Sequence, residues 1–304
     1  MFNSYSVLQN ADKALLVKKP FPYILIRNCL NQELYEQLES SYPSDQLIAN
    51  ANLHRFPSGL KSENARTDIS ASVALEKKDL LPEIWLKFIE YHTSIDFFKE
   101  VVNLFKEDIN KYYPKIKPLL SGISSSDIGI RFDKSDTKPI SLDCQIGINT
   151  PSSKASSVIE EHTDSVEELY AGLLYFRRNN DKAKGGDLNL YEWKDKKNKK
   201  YKGFTIPSNL VRKVGTIEYQ PNTLVLFLNT IDSIHSVSVR QPSKVSRRLI
   251  NIIGEVYNIY PEGLYKKSYV FGFNQIKIIL KMLLKKLGIL NTVYKFINDL
   301  KKFL

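Results

Sequence analysis

The sequence predicts an α+β chain, mainly β in its second half: a sandwich, barrel or jelly roll with helices before it and a helical tail after it. Three observations predict this. From about Ile128, short β-rich runs alternate with turn residues over 128–133, 141–150, 157–163, 169–177, 187–193, 215–219, 223–229, 234–240 and 247–258. Between 78 and 112, apolar residues recur at helical spacing, first Leu81, Ile84, Trp85, Phe88 and Ile89, then Phe97, Val101, Leu104 and Phe105. After Pro261, lysines and apolar residues again separate onto opposite helical faces.

Taken in order, Pro20 to Arg27 reads as a strand entering the core after two prolines. Asn31 can cap a helix over 32–42 that carries Leu34 and Leu38 on one face and ends at Pro43. Residues 44–70 are polar and predict irregular chain, and the charged run 194–202 predicts a solvated loop. No internal repeat is visible. The expected organisation is one domain over 1–265, with a helical part at 1–125 and a strand-rich core at about 126–260, followed by a basic tail at 266–304.

With 304 residues, 42% hydrophobic and 25% charged, the composition is that of a soluble globular chain with a real core. No apolar run approaches the roughly 20 residues that span a bilayer. Asp12 and Lys13 interrupt the stretch where a signal peptide would need to be apolar, so a cytoplasmic location is expected. Cys29 and Cys144 are too few for a disulfide framework and read as buried thiols. The net charge of +11 is uneven, because residues 266–304 hold nine lysines against one acid, Asp299. The body is therefore near neutral, which argues against nucleic acid as a partner.

The chain has only four histidines, His54, His92, His162 and His235. His162 and Asp164 stand at i and i+2, and on a strand such residues project from one face. His235 lies in Ser233-Ile-His-Ser-Val-Ser-Val239, a run of alternating character. Two imidazoles and one carboxylate on one side of an ion suit non-haem iron(II), with positions left for a co-substrate and dioxygen. Zinc uses the same donors. Arg247 and Arg248 then open the strand Leu249 to Val256. An arginine there can aim its planar fork at a carboxylate, such as the far carboxylate of a bound 2-oxo acid. Alternatively, both arginines are surface residues at a strand start.

Several segments carry a resemblance in order: Pro20 to Leu34, Glu161-His-Thr-Asp164, Ala171 to Phe176, Gly185-Gly-Asp-Leu-Asn-Leu-Tyr191, Asn222 to Asn229, Ser233-Ile-His235 and Arg247 to Ile253. Over roughly residues 20–258 the chain resembles the 2-oxoglutarate and iron(II)-dependent oxygenase superfamily, specifically the bacterial branch related to prolyl 4-hydroxylases. The resemblance implies a double-stranded β-helix (a cupin-like jelly roll) with the N-terminal helices packed on one sheet. It implies His162, Asp164 and His235 as catalytic iron ligands. It implies Arg247 or Arg248 as the anchor of 2-oxoglutarate. Strand parity favours Arg247, which shares a face with Asn251, whereas Arg248 shares one with Ile250 and Ile252. Tyr175 matches a tyrosine that reaches the same carboxylate, and it also reads as an ordinary core aromatic. Gly185 and Gly186 read as a tight turn without chemistry. Gln145 and Asn149 share one face of the strand before the metal pair. If that face is inward, both are candidates to bind substrate or co-substrate.

The implied activity is hydroxylation of an unidentified substrate, coupled to turnover of 2-oxoglutarate and dioxygen to succinate and carbon dioxide. Two rivals use the same residues differently: a non-catalytic jelly-roll binding module with structural histidines, and a zinc-dependent hydrolase. The tail offers two fates. Its apolar stripe either covers the jelly roll or a second subunit in a homodimer, or residues 270–304 lie on the inner face of an anionic membrane.

Overall fold

A computed structural model describes the chain apart from residues 1–3, 54, 57–58, 134–136, 200, 202–204, 258–262 and most of 266–304. The readings made for the tail therefore lie outside the described residues. Among the described residues, no helix is long and apolar enough to cross a membrane.

The order of elements is β1 (Leu16–Val17), β2 (Tyr23–Arg27), α1 (Gln32–Ser40), α2 (Asp45–Ala51), β3 (Arg66–Ile69), α3 (Ala71–Glu76), α4 (Glu83–His92), α5 (Ile95–Leu104), α6 (Lys106–Tyr112), α7 (Lys117–Ser121) and β4 (Ile128–Ile130). It continues with β5 (Ile140–Asn149), β6 (Glu168–Tyr175), β7 (Leu188–Trp193), β8 (Val211–Ile217), β9 (Thr223–Leu228), β10 (His235–Val237) and β11 (Arg247–Val256). The larger sheet runs β1-β2-β9-β6-β11-β5-β3, with β4 beside β5, and the smaller runs β10-β7-β8. All pairs are antiparallel except β4 with β5.

Period-two alternation explains how both faces of the larger sheet are filled. Leu142, Cys144, Ile146 and Ile148 of β5 join Ile250 and Ile252 of β11 and pack against Trp85, Phe88 and Phe97 of the helices. Full burial of each such side chain contributes about 1.5–3 kcal/mol. On the other face, Ala171, Tyr175, Val225, Phe227 and Leu249 meet Leu188, Leu190 and Ile217 of the smaller sheet. Two antiparallel sheets sharing one core, with helices outside the larger, resemble a jelly roll. Caps set the helix starts: the Asn31 side chain accepts from Leu34 N at 2.8 Å and that of Ser94 from Phe97 N at 3.3 Å.

The structure corrects the sequence reading in four places. Residues 44–70 hold helix α2, capped by Ser44, and strand β3, which extends the larger sheet at β5. The strand expected at 157–163 is a run of isolated bridges, Ser156 to Arg240 and His162 to His235. Its apolar residues, Val158 and Ile159, are only half-buried, so no buried face pins a continuous register. Strand β8 starts at Val211, earlier than the expected 215. In the 194–202 run Lys194 to Asn198 are exposed, as expected, but Tyr201 is buried in a cluster with Trp193 and Ile234.

Candidate metal centre

His162 and His235 face each other across a hydrogen-bonded antiparallel bridge, each amide donating to the other's carbonyl at 3.0 Å. Opposed residues of such a pair put their side chains on one face, and the two rings stand 4.3 Å apart. Asp164 follows where the chain leaves the bridge. Its Oδ1 lies 3.6 Å from His162 Nε2 and 3.7 Å from His235 Nε2. One donor atom from each of the three residues falls within 4.8 Å of the other two. Donors about 2.1 Å from one ion stand about 3–3.5 Å apart, so Asp164 Oδ1 is already close to the spacing that a shared metal requires of it with each imidazole.

The tautomers suit that task. His162 Nδ1 lies 2.8 Å from Glu160 O, and His235 Nδ1 lies 2.9 Å from Ser233 O. A carbonyl oxygen only accepts, so each Nδ1 carries the proton and each Nε2 presents a lone pair. Both histidines are buried, whereas the Asp164 side chain is 21% exposed, so the site opens on the carboxylate side. The Phe227 ring, 4.9 Å from that of His235, forms an apolar wall.

At the far end of β6, Arg247 starts β11 opposite Asn149 of β5. Its Nε donates to Gly186 O at 2.8 Å and its Nη1 to Asn149 Oδ1 at 3.1 Å. The guanidinium lies 4.8 Å from the Tyr219 ring and 5.1 Å from that of Tyr175. It is 3% exposed, yet no carboxylate pairs with it among the described residues. The Tyr175 hydroxyl and Asn251 Oδ1 are also buried, and neither makes a hydrogen bond of regular geometry, although the Arg247 guanidinium lies near enough to the Tyr175 hydroxyl to interact with it. Burial pushes the Tyr175 phenol up to about 12, although Arg247 draws it down. Arg248 points the other way, 4.4 Å over the Tyr42 ring on the helical side.

Gln145 and Asn149 lie on the face of β5 turned away from the helices, but both are engaged. Asn149 holds Arg247, while Gln145 accepts from Arg66 Nη2 at 3.2 Å and donates to Asp143 Oδ2 at 2.7 Å. Gly185 and Gly186 both have φ of +81°, but instead of the expected tight turn they lie in a segment that runs beside 238–241, where Gly186 N donates to Ser238 O at 3.2 Å and Gln241 N to Lys184 O at 2.9 Å. A Cβ on Gly185 would sit 1.9 Å from Val239 O, and the Gly186 carbonyl holds Arg247.

No family model and no curated protein matches the chain. Similar solved structures include a prolyl 4-hydroxylase from Phytophthora capsici, with 15% identity over 97% of this chain and 77% of that one and a TM-score of 0.46. A prolyl-4-hydroxylase from Pseudomonas putida has 10% identity over 74% of this chain and 97% of its own, with a TM-score of 0.30. A rice dioxygenase for auxin oxidation has 11% identity over 84% and 83%, with a TM-score of 0.38. These sources single out no bacterial branch of prolyl 4-hydroxylases.

Three residues around the centre escaped the sequence reading. The Tyr201 and Thr163 hydroxyls are 3.0 Å apart, between the first two ligands. Tyr265 lies 3.1 Å from Asp164 O, and Asn229 binds the Asp164 loop. Each comes from a segment distant in sequence from His162 and Asp164, and no local pattern marks its role.

Proposed function

We propose that this chain is a mononuclear iron(II) oxygenase dependent on 2-oxoglutarate, most simply a hydroxylase. The observation that carries the reading is the pairing of the His162–Asp164–His235 triad with Arg247, a buried cation without an ion-pair partner among the described residues. Such a cation calls for an anion. The far carboxylate of 2-oxoglutarate offers two oxygens to the guanidinium, and the Tyr175 hydroxyl, which makes no regular hydrogen bond, can donate to the same group. The donor set fits the metal end, with two neutral imidazoles and one carboxylate. Iron(II) held there supplies the oxidative step, in which dioxygen is consumed, 2-oxoglutarate becomes succinate and carbon dioxide, and the substrate gains an oxygen atom. The residues hold, orient and shield: the Nδ1 bonds aim the imidazoles, Phe227 keeps water from one side, and Gly186 and Asn149 hold the arginine in place.

A zinc hydrolase could use the same three ligands, but it would give the buried charge of Arg247 no anion to bind. A binding module with structural histidines would not need two Nε2 lone pairs converging on a carboxylate. Anaerobic addition of iron(II) and 2-oxoglutarate should give a weak visible absorption band, and air should then release succinate. A protein that binds zinc but shows neither the band nor succinate would overturn the reading.

A further inference from the structure

The backbone bridge sets the distance between the two histidines, but Asp164 lies past it on a turn. Asn229, fully buried at the end of β9, connects that turn to the segment leading into His235. Its Nδ2 donates to Ser165 O at 2.8 Å and to Glu168 O at 2.9 Å, and its backbone amide to Leu169 O at 2.9 Å. Its Oδ1 accepts from the Tyr265 hydroxyl at 3.1 Å, which is also 3.1 Å from Asp164 O. The Tyr113 hydroxyl donates to its carbonyl. From Asn229 the chain enters a turn in which Ser233 Oγ donates to Leu228 O at 2.7 Å, and the Ser233 carbonyl holds His235 Nδ1 at 2.9 Å.

We propose that Asn229 is a positioning residue of the metal centre, its carboxamide fixing the Asp164 loop against the His235 segment, with Tyr265 closing the contact. The inference rests on the triad holding a metal, as proposed above. The turn presents carbonyls at 164, 165 and 168, and a carboxamide on the opposing segment donates to two of them at once, adding to the bond that Ser165 O accepts from Glu168 N at 3.0 Å. Asn229 touches no metal donor. It acts on the distance between Asp164 Oδ1 and His235 Nε2, which is 3.7 Å.

The test is titration of the metal-free full-length protein with Co(II), read by visible absorption and by the dissociation constant, beside the thermal midpoint. Groups that orient metal ligands typically change affinity about 10–100-fold when removed, so Asn229→Ala should weaken Co(II) by that factor and alter its spectrum. The comparator is Asn222→Ala at the other end of β9. The Asn222 carboxamide is equally buried and hydrogen-bonds Leu30, away from the triad. It should lose similar thermal stability and keep parental Co(II) affinity. Tyr265→Phe, a milder change, should weaken Co(II) about threefold and remains informative if Asn229→Ala does not fold. Parental Co(II) affinity and spectrum in both Asn229→Ala and Tyr265→Phe would overturn the proposal while leaving the metal site standing. A parent protein that takes up no Co(II) would overturn both.

Discussion

The two ends of the candidate site are built differently. At the metal end, the ligands sit on an isolated bridge and the turn after it, and hydrogen bonds from remote segments hold them. At the arginine end, Arg247 starts a ten-residue strand paired on both sides, and its side chain lies between two aromatic rings and two hydrogen-bond acceptors. The metal end needs donor atoms that can draw together around an ion, and loops allow that. The arginine end needs a fixed distance from the metal, and a ladder supplies it. Loss of a ligand should therefore be all-or-none at the first end, whereas loss of Arg247 or its supports should be graded in affinity at the second.

The largest effects belong to the metal end. His162→Ala, Asp164→Ala and His235→Ala should each abolish iron retention and 2-oxoglutarate turnover, including slow turnover without substrate. Succinate release near the parental rate in any one of them would remove that residue from the site. Next comes Arg247→Ala. Stripping one partner from a buried charge pair costs about 3–5 kcal/mol, so 2-oxoglutarate binding should fall by more than a hundredfold while iron affinity, measured alone, holds. Arg248→Ala should change the binding of 2-oxoglutarate little, because its guanidinium packs on Tyr42. Reversed results would mean that the two arginines have exchanged roles.

The same contrast governs how much the sequence revealed. Alternation in β5 and β11 separated Arg247 from Arg248 and put Gln145 and Asn149 on one face, because a strand's period carries side-chain direction with it, but it left open which way that face of β5 turned. The triad was readable for another reason: histidine is scarce in this chain, and His162 and Asp164 are two residues apart. The local structure behind the triad was not readable, since 157–163 leaves the ladder that the i, i+2 reasoning assumed. Strand β3 was hidden because its charges look solvated, whereas Asp68 is buried and pairs with Arg55 and Arg66. Helix α2 is short, with Ser44 as its cap. Tyr201, Asn229 and Tyr265 act through contacts between distant segments, which no local pattern records.

Gly186→Ala should produce an intermediate effect, confined to the arginine end. The new Cβ would meet Arg247 Cδ and Nε at 3.2 Å, on a residue whose φ is +81°. A left-handed alanine alone costs about 1–2 kcal/mol. Displacement of the guanidinium should weaken 2-oxoglutarate roughly tenfold, a change of about 1.4 kcal/mol. Isothermal titration of the iron-loaded protein under anaerobic conditions would read this. If 2-oxoglutarate bound as in the parent while stability dropped, the glycine would serve the local backbone alone.

The smallest effect is also the one whose two parts have opposite signs. The Tyr175 hydroxyl is buried without a hydrogen bond of regular geometry, and it lies beside Arg247. A buried polar group left unsatisfied costs about 1–3 kcal/mol, whereas a hydrogen bond it makes contributes about 0.5–1.5 kcal/mol net. Without co-substrate, Tyr175→Phe removes the unsatisfied group and keeps the ring in the inter-sheet core, so the thermal midpoint should rise. With 2-oxoglutarate, the variant lacks one donor to the carboxylate, so its KM for 2-oxoglutarate should rise about 2–10-fold at unchanged iron affinity. An ordinary core tyrosine would show the first effect without the second. A midpoint that falls, with KM unchanged, would instead show that the hydroxyl is satisfied in the free protein and does not serve the co-substrate.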